Sequence, residues 1–401
     1  MSRTRAVALS TALGAVVWIG ASGLPSAAQE PPPPPIAGEL LQASAGHVSC
    51  GDTITTDTTL DSDLLDCPSN GIVIGADDIT LDLNGHTVSG DGEPFKACPE
   101  REICDVGVLN DGLDGVTVRN GSVEQFESGV LVGRAHENRV LDISSSQNTF
   151  FGFVVFRSAQ MLVRDSSGSR NIAPDGDGMG LFESQDVRIV NNEFRRNPGP
   201  GIHVQASTDN LIKGNLISHS SPGILLGGER RADRADRNQV RGNRFVGNGA
   251  GVLLGRGNRN VIARNHFSRD GDGIAIENAR GNRVALNVIL DARKNGIYLG
   301  LNEPPIGGGD NVVRRNVVRR SGEDGFLVRS KDHHSLLKGN LARRSGDDGF
   351  DIESSSAKLT GNRGVGNDDL GIEAVEGVSD GGRNRADGNG DPRQCVNVRC
   401  R

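Results

Sequence analysis

Four hundred and one residues with a formal charge of −7 would ordinarily divide into two or three domains. Glycine accounts for 56 of them, against 12 Phe, one Tyr and one Trp, and hydrophobic residues make up 35%. That glycine content excludes a coiled coil, its lack of a three-residue period excludes collagen, and the regular recurrence of Val, Ile, Leu and Phe argues against wholesale disorder.

Arg3 and Arg5 precede an apolar run from Ala6 to Gly20, and Ser26 and Ala28 fit the small-residue positions of a cleavage site. Residues 1–28 therefore read as a signal peptide. The run is short for a membrane span, so no span is expected after cleavage. Removing two arginines and no acids takes the formal charge to −9, which argues against a nucleic-acid partner. Pro31 to Pro35 stiffen a Pro-rich linker over 29–45. The expected destination is secreted, extracellular or periplasmic. That context favours disulfides among Cys50, Cys67, Cys98, Cys104, Cys395 and Cys400. Six cysteines allow fifteen pairings; nearest neighbours are expected, because the pairs lie at the chain ends or within one early loop. No Cys-x-x-Cys spacing supports a metal site.

From residue 71 onward the chain repeats a short element: Gly, an apolar residue, any residue, another apolar residue. It runs through Gly129-Val-Leu-Val, Gly201-Ile-His-Val, Gly223-Ile-Leu-Leu, Gly273-Ile-Ala-Ile and Gly349-Phe-Asp-Ile. A second element ends in asparagine, at Asn191, Asn215, Asn243, Asn265, Asn287, Asn316, Asn340 and Asn362. The period is about 22 residues, with longer intervals where loops are inserted. Each unit holds three short alternating strands and cannot close a core alone, so units must stack. Glycine is expected to supply a positive φ at one corner. Asparagine is expected to tolerate the left-handed region at the next, with its amide bonding to neighbouring amides.

The expected fold is all-β, a single-stranded right-handed parallel β-helix of about twelve coils. It spans residues 46–401, with an N-terminal cap (46–70) and a C-terminal cap (376–401), both disulfide-linked. A leucine-rich repeat lacks support because the Leu-x-x-Leu-x-Leu signature is missing, and a propeller needs longer units.

With Cys50-Gly-Asp-Thr-Ile-Thr, Asp78-Ile-Thr-Leu-Asp-Leu-Asn-Gly-His86 and the tail Gly388-Asn-Gly-Asp-Pro-Arg-Gln-Cys395, the chain resembles bacterial secreted right-handed parallel β-helix repeat proteins. These form the pectin-lyase-like superfold, with its carbohydrate-binding, sugar-hydrolase and NosD-type repeats. The resemblance implies a sugar groove along the first-strand face. It leaves the chemistry open, since the superfold hosts lyases, epimerases, hydrolases and proteins with no known reaction. The Asp-Pro-His-Asp segment of mannuronan epimerases and the Gly-His-Gly and Arg-Ile-Lys elements of galacturonan hydrolases are absent.

Alternation places Leu131, His203, Leu225, Leu253, Ala275, Tyr298, Leu327, Asp351 and Glu373 outward on the first strand, with Glu277, Arg329 and Glu353 in the next outward column. Proton abstraction beside a uronate carboxylate needs a base and a cation. Tyr298, His203, Lys331 and His333 are the candidate bases and Arg329 the candidate cation. Glu277, Asp272, Asp324 and Arg230 are expected to bind substrate, with the insertions 227–237 and 300–310 walling a cleft ~14 Å wide, three strand spacings. Acids recur before the first strand, including Asp270, Asp272, Glu323, Asp324, Asp347, Asp348, Asp368 and Asp369. This ladder is a candidate for calcium or for a hydrolytic carboxylate pair, although Asp-Gly is also good turn chemistry. Two functions follow. One is a monomer that binds or modifies extracellular, acidic polysaccharide, lyase- or epimerase-like if it is an enzyme. The other is a non-catalytic surface, structural or adhesion scaffold.

Overall fold

The computed structural model describes residues 47–93, 98, 103–228, 230–300 and 308–401. The expected signal peptide and linker lie outside these residues. The described chain winds as a parallel β-helix. Its first strands stack into one 14-stranded sheet that runs from Asp52–Ile54 to Glu373–Ala374. The second and third strands stack as two further parallel ladders, bridged in two coils by the long strands Thr117–Glu124 and Arg139–Ser146. Register is held coil to coil: Ile202 pairs with Ile224, His203 with Leu225 and Val204 with Leu226. Fourteen coils exceed the expected number of about twelve, in part because segment 46–70 contributes a rung of its own, Asp52–Ile54 paired with Ile72–Ile74. At ~4.8 Å per rung the stack is about 60 Å long. No helix among the described residues is long and apolar enough to cross a membrane.

The recurring glycines have a different cause from the one expected. None of Gly201, Gly223, Gly251, Gly273 or Gly296 has a positive φ. They sit where a Cβ would collide with the next coil. At Gly223 it would lie 2.6 Å from the carbonyl oxygen of Gly251.

The asparagines also differ. The left-handed residue is the one before the ladder position: Gly214 (φ 70°), Gly242 (φ 62°), Arg264 (φ 57°) and Arg315 (φ 52°). Asn191 is such a residue, and Asn192 takes the ladder place. The ladder asparagines are buried. Each amide oxygen accepts two hydrogen bonds from the preceding coil, as Asn243 Oδ1 does from the Asn215 backbone (2.9 Å) and Asn215 Nδ2 (3.0 Å). A second ladder, Asn210–Asn238–Asn260–Asn282–Asn311, lines the corner before the second strand. A third, broken ladder lines the corner before the first, where Asn248 donates to Asp270 Oδ1 at 2.8 Å. These amides satisfy corner backbone groups that burial would otherwise orphan.

The core is a set of flat stacks. Rings are accommodated where they lie face to face on successive coils: Phe245 on Phe267 (4.5 Å, 7°) and Phe326 on Phe350 (4.6 Å, 6°). Disulfides join Cys50–Cys67, Cys98–Cys104 and Cys395–Cys400, the expected nearest-neighbour pairing. Cys395 bridges to Ile372 and Cys400 to Asn384, so the C-terminal pair lies against the edges of the last coil, where open strands would otherwise be exposed.

Candidate functional site

The first-strand sheet presents three outward columns. In its C-terminal half the middle column reads Ala275, Tyr298, Leu327, Asp351, Glu373, fixed by the rung pairings Ala275–Tyr298, Tyr298–Leu327, Leu327–Asp351 and Asp351–Glu373. One flank carries Glu277, Arg329 and Glu353, each just past the end of its strand. The other carries Asp272, Asn295, Asp324 and Asp348 at the corner before each strand.

That corner column forms a polar ladder. Asp272 Oδ1 accepts from the Asn295 backbone (3.0 Å), Asn295 Oδ1 from Asp324 (3.2 Å), Asp324 Oδ1 from Asp348 (3.0 Å), and Asp348 Oδ1 from Leu370 (2.7 Å). One oxygen of each carboxyl is thus committed to the backbone of the next coil. Burial and crowding act on the whole group. Burial pushes Asp324 up to about 7, with repulsion from Asp351, Asp347 and Glu323 adding to it. Burial pushes Asp348 up to about 8, with the neighbouring carboxyls of Glu373 and Asp324 adding to the rise. Burial, then repulsion from Glu353 and Glu373, raises Asp351 to about 6.

Arg329 crosses this patch. It pairs with Glu353 at 2.5 Å and lies beside the Tyr298 hydroxyl. Tyr298 is half-buried, and its phenol is raised above the ordinary value by burial, with Glu277 and Asp272 nearby as further negative charges. Burial likewise raises Glu277.

Of the residues singled out from sequence, Tyr298, Arg329, Glu277, Asp272 and Asp324 are therefore brought together. The others lie elsewhere. His203 is four rungs from Tyr298, ~19 Å along the stack. Its Nδ1 lies 3.2 Å from Asp177 Oδ2, and its ring meets Phe182 edge-on at 5.4 Å. Asp177 is buried, which raises it to about 6 despite its bond with His203. Lys331 and His333 are exposed on the corner beyond Arg329, while Asp332 between them turns inward to Asn311 (3.2 Å). Arg230 is exposed on the 227–237 insertion. That insertion folds toward the preceding coil, where Asp233 accepts from Gln205 Nε2 at 2.8 Å, and so leans away from Tyr298. Residues 301–307 of the second expected wall lie outside the described residues.

Asp351, Glu353 and Glu373 stood in the outward columns without being chosen as site residues. The signal was their adjacency to Asp348: four carboxyls on two neighbouring rungs. Leu327 and Ala275 are buried and Leu225 and Leu253 half-buried, so the apolar stripe along this face is only partly open. Asp347, Asp348 and Asp369 place carboxylate oxygens within 4.8 Å of one another. Such groupings are common on acidic surfaces without an ion.

The family model described as right handed beta helix region matches residues 70–232 and 181–331. No curated protein matches the chain. Among solved structures, the A-module of the Azotobacter vinelandii mannuronan C-5 epimerase AlgE6 is 14% identical, covering 84% of this chain and 88% of its own, with a TM-score of 0.52. The N-terminal fragment of bacteriophage phi29 gene product 12 is 11% identical, covering 87% of this chain and 66% of its own, with a TM-score of 0.60. At such identities the likeness is one of fold.

Proposed function

This chain belongs to the right-handed β-helix family, and from that premise we propose that it binds and cleaves a polysaccharide along the C-terminal half of its first-strand face. The observation that carries the reading is the carboxyl group set at Asp324, Asp348, Asp351 and Glu373, held on adjacent rungs with several members raised to between about 6 and about 8. Glycoside hydrolysis needs one carboxyl that keeps its proton near neutral pH and a second that is ionised. Asp351 is outward and half-buried, and fits the proton donor. Glu373 pairs with it across one rung, is exposed to solvent, and fits the second carboxyl. Arg329 and Tyr298 would hold sugar hydroxyls. Kinship of fold with an enzyme whose name refers to mannuronan supports polysaccharide as the substrate class.

The same acids sharpen the substrate. A floor of carboxylates repels a polyuronate unless a divalent cation bridges them, so a neutral glycan fits better than the acidic polymer expected from sequence. The lyase- or epimerase-like alternative rests on Tyr298 beside Arg329. Burial raises the Tyr298 phenol, which weakens it as a base at neutral pH, and Glu353 already neutralises Arg329. Residence outside the cytoplasm agrees with three disulfides.

The test is incubation with a panel of neutral glucans and polyuronates, with and without calcium, read by new reducing ends and by absorbance of unsaturated uronates. Reducing ends without unsaturation, reduced ~10²-fold or more in Asp351→Asn, are expected. Unsaturated product would instead establish the lyase reading, and binding without turnover the scaffold.

A further inference from the structure

On a different sheet, the third-strand face carries a cluster that the reading above does not use. Arg319 and Arg343 end the strands Val317–Arg319 and Leu341–Arg343 and pair in register. Arg320 and Arg344 follow them, both in the left-handed region (φ 57° and 58°). The four side chains are exposed and line a recess of about 150 Å³.

Several arginines elsewhere in this chain meet an acid on a neighbouring coil. Arg119 meets Asp82 (3.0 Å), Arg157 meets Glu183 (2.8 Å) and Arg237 meets Asp209 (2.6 Å). In the recess only Arg320 does so, reaching Asp291 at 2.6 and 2.9 Å. Arg319, Arg343 and Arg344 have no acidic partner among the described residues. An acidic protein thus gathers four guanidinium groups around one hollow with a single counter-charge.

We propose that this recess binds oxyanion substituents of a polysaccharide. Arg319 and Arg343 stand one coil apart, ~4.8 Å, and face the same way. An oxyanion between them can receive planar two-pronged hydrogen bonds from both, the geometry that distinguishes Arg from Lys. Single-stranded nucleic acid is the less suitable polyanion. It needs aromatic platforms for its bases, and the rings of this sheet, Phe194, Phe245 and Phe267, are all buried.

Affinity electrophoresis of the whole protein through gels containing dextran sulphate, polygalacturonate, uncharged dextran or a DNA oligonucleotide tests the site. Dextran sulphate or polygalacturonate should retard the protein where dextran does not, the first marking a preference for tetrahedral oxyanions and the second for carboxylates. The doubly substituted Arg319→Gln/Arg343→Gln protein should lose affinity roughly tenfold or more, since each lost bond is charge-assisted. Its melting temperature should be unchanged, because both side chains are exposed. Retardation equal in the variant, no retardation by either charged polysaccharide, or tighter binding of DNA than of both would overturn the proposal. None of these outcomes depends on the hydrolytic site.

Discussion

A single ladder asparagine shows how much one side chain carries. Asn265 accepts two hydrogen bonds from Asn243 and donates to Val240 O (2.9 Å) and Asn287 Oδ1 (3.1 Å), all in the interior. Asn265→Ala would orphan several buried groups at once, so a loss of about 2–3 kcal/mol is expected in chemical denaturation. Gly223→Ala is expected to cost about 1–3 kcal/mol by overpacking, since its new methyl would meet Gly251 backbone. Its φ is not positive, so the cost comes from the clash of the added Cβ itself, and Ser should be about as poor as Ala. The sequence showed that Gly and Asn recur, and their period was enough to identify the coil. It did not show which property of each residue the corner uses. Close approach of coils and a left-handed φ both select glycine, and only the coordinates of the next coil separate them. Two of the three amide ladders are readable in the sequence as Asn-x₄-Asn (Asn238/Asn243, Asn260/Asn265, Asn282/Asn287).

At the scale of the element, the edge of the first-strand sheet behaves as one titrating unit. Asp324, Asp348 and Asp351 are raised well above an unfolded carboxyl near ~3.9. Between that value and about 8 the folded chain holds more protons than the unfolded one. Stability from this strip is therefore fully present in acid and is lost as pH rises. Thermal unfolding should show a melting temperature that declines from pH 5 to pH 8, and Asp348→Asn should flatten the decline. A decline that persists unchanged in the variant would assign it to other groups. The strip was half legible beforehand. The outward columns followed from alternation and supplied Tyr298, Arg329 and Glu277, while Asp272 and Asp324 came from the acids that recur before the first strand. The recurring corner acids are also good turn residues, and Asp272, Asp324 and Asp348 each accept a hydrogen bond from a backbone N–H of the next coil. His203 stands apart for a different reason: sharing a column says nothing of distance along it, and four rungs separate it from Tyr298.

Across the whole molecule, local contacts between neighbouring coils predominate, and the ends are the vulnerable places. Cys50–Cys67 closes a loop of 17 residues in the first coil and Cys395–Cys400 a loop of 5 against the last. Loop entropy assigns the first about 3 kcal/mol and the second about 2. Hydrogen exchange of the Cys50→Ser/Cys67→Ser protein should accelerate in the coils near Asp52–Ile54 and leave the middle coils protected. Uniform acceleration would mean that the stack unfolds as one unit.

The central claim is that a polysaccharide lies across Tyr298, Arg329 and Asp351. Isothermal titration of a panel of neutral oligosaccharides against the wild-type chain and Tyr298→Ala tests it most directly. The account predicts binding by at least one neutral oligosaccharide that weakens roughly tenfold in the variant, the worth of one good polar contact in a sugar site. Equal affinity in the two proteins, or binding confined to acidic oligosaccharides, would contradict it.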